Sequence, residues 1–377
     1  MILSSVLFFN KKIHLEVEVG ELKKKKLGYG YAKWGYIFSL PFIIAFLIFS
    51  LYPIIYTAVI GFTDLKGLGM TEIHFLSDDP FRNFKLILTN ASFQTAFKNT
   101  VVMWILNFIP QISLALLLAA WFTDKRSTVK GQGFFKVLFY MPNIITAATV
   151  AILFKSLFEY PMSPMNDLVM SLGISDKPIQ FLINKNVARA IVIFIQFWMW
   201  YGYTMVVLTS GILGISPEIF EAAEVDGANR WQTFWYVTIP NIKTILLFTL
   251  VTSLIGGLNM FDIPKLFMLG GPDNATTTTS VFIYNQAFSG SYMYNRAAAA
   301  SMIMFVIIVV LSAVMFWLLR DKDEEKLERE IRQQQKSYKA KQKALAKAAK
   351  LAAATVEEVV TESVDSAKVD GEEDASC

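Results

Sequence analysis

Very little in this chain is equipped for covalent chemistry. One residue of 377 is cysteine and two are histidine. The cysteine is Cys377, the last residue, so neither an intrachain disulfide nor a thiol metal site is expected. His14 and His74 stand apart, without the spacing of metal ligands. No glycine-rich loop ends in Gly-Lys-Ser or Gly-Lys-Thr, so the chain has no obvious ATP site of its own. The expectation is a protein with no catalytic residues, no metal and no cofactor bound by this chain. Charge is also missing, and in a pattern. Asp, Glu, Lys and Arg are absent from 34–63, 99–123, 137–154, 190–217, 244–261 and 297–319. These runs hold no carboxylate pair, which opposes an ion-coupled secondary transporter, because such proteins keep ionisable groups at membrane depth. The lack of a catalytic constellation likewise opposes a membrane enzyme. The first 33 residues lack a cleavable signal pattern, and the first apolar run reads as an uncleaved anchor.

What is present is apolar. Hydrophobic residues make up 54% of the chain and phenylalanine alone numbers 31, which places it among membrane proteins. Even the shortest charge-free run would extend about 27 Å as a helix, close to the hydrocarbon thickness. The fold expected is an all-α membrane protein with six transmembrane helices. An even number of spans puts both termini on one side. With the ends inside, the inner segments through residue 336 carry nineteen Lys and Arg and the outer segments ten, which favours that orientation. The basic clusters, such as Lys23 to Lys26, then read as topogenic and lipid-contacting rather than as a nucleic-acid surface.

Three regions follow: a basic segment 1–33, a six-span domain 34–320, and a cytoplasmic tail 321–377. In the tail, charged helical spacing gives way to an acidic stretch, expected to be disordered. Within the second region, 216–240 is polar and locally acidic. Ser216 suits an N-cap, Pro217 a first helical position and Glu218 the positive end of the helix dipole. Gly227 suits a left-handed stop, Asn229 suits the cap of a second short helix, and Pro240 is expected to end it. Ala222 and Ala223 suggest a small-residue surface that a partner could approach closely. The spans contain neutral amides and aromatic rings: Asn107, Gln111, Asn143, Gln196, Trp198, Trp200, Tyr201, Tyr203, Ser253 and Asn259. Such groups fit a neutral, hydroxyl-rich ligand, and they equally fit interhelical hydrogen bonds and interfacial aromatic belts.

Glu221-Ala-Ala, Gly227, Val237 and Ile239-Pro240 at their spacing resemble the coupling-loop signature of permease subunits in binding-protein-dependent ABC importers. Val237 and Ile239 stand where that pattern prefers Ile and Leu. Phe261-Asp262, Gly270-Gly271-Pro272, Thr276 to Thr279 and Tyr284 to Phe288 resemble the carbohydrate branch, as do Pro53 and Tyr140-Met-Pro142. The likeness covers roughly 34–320 and is to the maltose-type first permease. It implies the type I importer permease fold in a bacterial or archaeal inner membrane, together with membrane lipid. The partners implied are a second permease, two copies of an ATPase subunit that use ATP and Mg, and an extracytoplasmic sugar-binding protein. Glu221, Ala222, Ala223, Gly227 and Pro240 would form the ATPase-coupling loop. Aligned through the coupling motif and Gly-Gly-Pro, the substrate pathway falls on Gln196, Met199, Trp200, Tyr203, Ser253, Gly256, Gly257 and Met260. Asn259 joins them on local chemistry. Trp200, Gly256 and Gly257 depart in size from the maltose-type pattern, so a sugar other than maltose is expected. An ABC permease for glycerol phosphate or a polyamine is the alternative, opposed by the absence of charge within the runs.

Overall fold

The structure, a computed structural model, describes residues 31–67, 69, 72–124, 130–290, 292–319 and 329–346. The described part of the chain is helical, with one isolated antiparallel bridge, Thr63 to Phe75. Five helical stretches are long and apolar enough to cross a membrane: Trp34–Ile60, Ala91–Thr123, Lys185–Leu213, Lys243–Met268 and Tyr294–Leu318. The first comprises α1 (Tyr31–Phe46), a π turn (Leu47–Leu51) and α2 (Tyr52–Ile60). After a short α3 (Arg82–Leu88), α4 (Ala91–Thr123) forms the second span. Asn90 caps it, its side chain accepting a hydrogen bond from the Phe93 amide at 3.0 Å.

The third charge-free run departs from expectation. It forms two helices, α5 (Gln132–Ile144) and α6 (Ala147–Phe158), bent by 90° at their junction. Pro142 removes a backbone donor from the last turn of α5. Ile145 and Thr146 are extended, and the Thr146 hydroxyl then caps α6. α7 (Pro164–Ser171) leads to α8 (Lys185–Leu213), a 29-residue span. Further along lie α9 (Pro217–Val225), α10 (Arg230–Gln232), a π-helical segment (Thr233–Thr238), α11 (Ile239–Asn241) and α12 (Lys243–Leu258). α13 (Asp262–Met268), α14 (Thr279–Phe288) and α15 (Tyr294–Leu319) follow. Four of the five spans extend past their charge-free runs, so Lys98, Lys185, Arg189, Lys243, Asp262, Lys265 and Arg296 fall within them. A helix also covers 329–346, part of the charged tail. The basic segment through residue 30 and the acidic stretch read as disordered lie outside the described residues.

The chain divides into two compact units, one of 1–214 with 249–314 and one of 215–248 with 315–377. In the first, α4 and α8 form a close pair. Ala96, Met103, Asn107, Gln111, Ala115 and Ala119 recur at helical spacing on one buried stripe of α4. Between spans, lipid supplies little hydrophobic drive, and small residues that allow close approach take over. Gly202 is the clearest case: a Cβ there would stand 2.0 Å from the Phe139 carbonyl oxygen of α5. The amides Asn107, Gln111 and Asn143 hold backbone and helices rather than face a ligand. Gln111 donates to Thr204 Oγ1 at 2.7 Å, Asn143 to the Met199 carbonyl at 3.2 Å and Asn107 to the Met103 carbonyl at 3.0 Å. The apolar core gathers Met103 of α4, Val150, Ala151 and Phe154 of α6, Ile191 to Met199 of α8, Met260, and Ile263 and Phe267 of α13.

A polar knot closes this unit around 270–279. Asn99 Nδ2 donates to the Asn274 and Thr277 carbonyls, and Asn99 Oδ1 accepts from Arg189 Nη2 at 3.0 Å. Arg189 Nε reaches the Ala275 carbonyl. The Thr277 and Thr278 hydroxyls bond the Gly270 and Met260 carbonyls, and the Thr279 amide donates to Thr100 Oγ1. Thr276 to Thr279 are all buried, so each hydroxyl or amide bond here satisfies a group that has left water. Gly270 has φ +89°, and a Cβ would lie 2.4 Å from Thr277 Oγ1, so glycine is needed both for the turn and for the close approach.

Candidate coupling loop and substrate pathway

The polar stretch after α8 folds by its own short-range chemistry. Pro217 opens α9 and Glu218 sits in its first turn, as expected. Ser216, expected to cap it, makes no side-chain capping bond; its φ of −56° and ψ of 130° leave Pro217 to set the start. The helix ends on Gly227 at φ +77°. The Gly227 amide donates to the Glu224 carbonyl at 3.0 Å and the Ala228 amide to the Ala223 carbonyl at 2.9 Å. This paired closure satisfies two terminal carbonyls and requires the left-handed conformation that glycine adopts without penalty.

Two residues on, Asn229 forms a full capping box. Its side chain accepts from the Gln232 amide at 2.9 Å, and Gln232 Oε1 accepts from the Asn229 amide at 2.8 Å. The helical path then widens into the π segment Thr233–Thr238. Pro240 does not end it as expected. The chain continues through α11 to Asn241 and leaves the helix only at Ile242, with φ −94° and ψ 10°. A proline lacks an amide hydrogen and crowds the carbonyl four residues back, and the wider turn accommodates both.

The loop turns acid and aromatic side chains outward. Glu218, Glu221, Ala222 and Val225 of α9 are exposed. Ala223 is buried, so of the two alanines only Ala222 is presented at the surface. Trp231 and Trp235 are exposed and stacked, with centroids 6.4 Å apart, and Phe234 packs against both.

The pathway residues, all in the other unit, separate into four groups. Trp200 and Tyr203 are exposed on α8 and meet edge to face at 5.9 Å, and Gln196 lies half-buried one turn before Trp200. Gly256 and Asn259 are exposed, Asn259 donating to the Ile255 carbonyl. Met199 and Met260, in contrast, lie in the apolar core beside α6. Ser253 and Gly257 are half-buried beneath Trp104 of α4, whose Nε1 donates to Ser253 Oγ at 3.2 Å. Sequence reasoning missed Trp104, because its partners lie about 150 residues away in the chain and nothing local marks it. Among the described residues, no three His, Cys, Asp or Glu side chains gather into a group suited to a metal.

Residues 99–322 match the family described as binding-protein-dependent transport system inner membrane component. The chain is 31% identical over 290 residues to the lactose transport system permease protein LacF of Rhizobium radiobacter, covering 76% of this chain and 94% of that one. It is 31% identical over 283 residues to the multiple sugar-binding transport system permease protein MsmF of Streptococcus mutans, covering 74% and 93%. With the arabinooligosaccharides transport system permease protein AraP of Bacillus subtilis the identity is 30% over 277 residues, covering 73% and 85%. Among solved structures, a chain of a bacterial ABC transporter that imports the acidic polysaccharide alginate superposes with a TM-score of 0.65 at 26% identity. That match covers 76% of this chain and 94% of the other. A second structure, the alginate transporter with its pentasaccharide-bound periplasmic protein, gives 0.63 at the same identity.

Proposed function

The chain belongs to the family of binding-protein-dependent transport system inner membrane components, and from that premise we propose that it is one of the two permease subunits of an ATP-driven sugar importer. It is not an enzyme: ATP and Mg are used by a separate ATPase, two copies of which each hold one permease loop. An extracytoplasmic sugar-binding protein delivers the cargo. The observation that carries the reading is that family match together with the loop it contains: a proline-started helix, a glycine stop and a capping box between two spans. Both termini and the 216–240 loop face the cytoplasm. Glu221 makes the polar contact to the ATPase and Ala222 allows close packing, while Gly227 and Pro240 shape the loop. ATP-driven closure of the ATPase pair shifts the permease between inward-open and outward-open arrangements.

The cargo we assign is a neutral sugar, carried past Gln196, Trp200, Tyr203, Ser253, Gly256, Gly257 and Asn259. Aromatic rings stack on the C–H faces of sugars and amides pair with hydroxyls. Two cations within the spans have neutral partners. Arg189 bonds Asn99 and the Ala275 carbonyl, and Lys265 bonds Asn285 while lying 4.6 Å from the Tyr284 ring centre.

Pull-down of the tagged chain from mild detergent, with mass spectrometry, tests the assembly. Recovery of a second six-span permease, an ATPase and a sugar-binding protein is expected, and the ligand of the binding protein then names the cargo. A folded chain recovered alone would overturn the reading. Tyr203→Ala is expected to change which sugars compete for uptake while leaving assembly intact; loss of expression alone would make Tyr203 structural.

A further inference from the structure

A tryptophan of α4 completes the surface of α12, and glycine at 257 is what admits it. A Cβ at Gly257 would stand 2.0 Å from Cδ1, 2.6 Å from Cγ and 2.9 Å from Nε1 of Trp104. Atoms do not pack that closely, so the indole occupies the space a side chain at 257 would fill. One turn earlier on the same helix, Ser253 Oγ accepts the indole N–H at 3.2 Å. One turn further along α4, Phe108 stacks on the indole with centroids 6.0 Å apart and planes inclined by 23°. The ring is therefore held by a glycine notch, a hydroxyl and a second ring. It is nonetheless only half-buried, and part of its surface stays open. Gly256, the next residue, differs: a Cβ there would meet nothing within 4 Å. One glycine is filled from another helix, and its neighbour is left clear.

We propose that Trp104 is a specificity-determining residue of the pathway, setting its width at Ser253 and Gly257 and offering a ring face to the passing sugar. This rests on the assignment of that face of α12 to the pathway made above. The Ser253 hydroxyl, having accepted the indole N–H, keeps its own hydrogen for a sugar oxygen. The ring supplies the flat apolar face that a pyranose C–H surface needs.

The scarcity of cysteine makes the test direct. In the assembled importer, Cys377→Ser with Ser253→Cys leaves one thiol in this chain. Its labelling is compared for a small reagent, methanethiosulfonate-ethylammonium, and a bulky biotinylated methanethiosulfonate. With Trp104 present the small reagent should react and the bulky one should lag. Trp104→Ala should raise the bulky-to-small ratio about tenfold, the scale on which pockets discriminate by size. Trp104→Phe, which keeps a ring and loses the N–H, should fall between. Should Trp104→Ala fail to assemble, Trp104→Leu and Trp104→Phe carry the same comparison. At Asn259→Cys, outside the notch, the ratio should not respond to Trp104. An unchanged ratio at Ser253→Cys, or no labelling of it by either reagent, overturns the proposal. If Trp200→Cys and Asn259→Cys still label, only the role of Trp104 falls; if none of the three labels, the pathway reading falls with it.

Discussion

The loops over 216–241 and 270–279 are both short and polar, yet they are shaped in opposite ways. The first takes its form from bonds that span five residues or fewer: the Gly227 closure and the Asn229–Gln232 box. The second takes its form from Asn99, Thr100 and Arg189, which lie between 86 and 179 residues away in the chain. The first is largely exposed, and its acids face outward. In the second, four consecutive threonines are buried with their polar groups bonded. On the proposed coupling role, a loop shaped locally keeps its geometry while it engages another protein. A part that joins several spans has to draw its bonds from all of them.

Breaking the long-range knot should cost most. Asn99→Ala takes one acceptor from Arg189, which keeps the Ala275 carbonyl, and one donor each from the Asn274 and Thr277 carbonyls, an expected loss of about 3 kcal/mol. It should lower the thermal midpoint of the purified complex by several degrees, and an unmoved midpoint would remove the knot from the stability argument. The next largest effect concerns function rather than fold. Glu221→Lys should cut ATP-driven uptake about tenfold, roughly 1.4 kcal/mol of coupling, while the sugar affinity of the binding protein stays the same. Uptake at the normal rate would end the assignment of Glu221 to coupling.

Smaller effects sharpen the local side of the comparison. Asn229→Ala removes one half of the capping box and should cost about 1 kcal/mol. Hydrogen exchange of peptides from 229–241 should then rise about fivefold, with the 270–279 peptides unchanged. Ser216→Ala should be nearly silent, within about 0.5 kcal/mol, since its hydroxyl makes no capping bond. A cost equal to that of Asn229→Ala would show that Ser216 caps α9 in the assembled complex.

What could be read in the sequence follows the same division. Gly227 and Asn229 were legible because their partners lie within a few residues, and a left-handed stop or a capping box has few alternatives. Ser216 and Pro240 were misread for a related reason. Residue type gives a preference for a position, but Pro217 fixed one start and a π turn carried the chain past the other proline. The bend at Ile145–Thr146 was not read, although Pro142 lies just before it, because a proline in a charge-free run is consistent with one kinked helix or with two. The residues proposed for the pathway lie on or next to α8 and α12, and the sequence did not sort them by face. Trp200 and Tyr203 are exposed, Met199 and Met260 are in the core, and Gly257 is filled by a tryptophan from α4.

By itself the sequence determined that the chain spans a membrane, and it located the runs that do so. Runs of this length without charge have to satisfy their backbone internally, and in lipid that leaves the helix or the closed barrel. It also marked the turn at 227–232, whose glycine stop and capping box are local. Only the tertiary structure decided which side of each span turns inward. In water, polarity distinguishes the buried side of a helix from the exposed one; in lipid both sides are apolar, and that signal is lost. The seating of Trp104 over Gly257 rests instead on shape: which small residue leaves room, and which large one arrives to fill it.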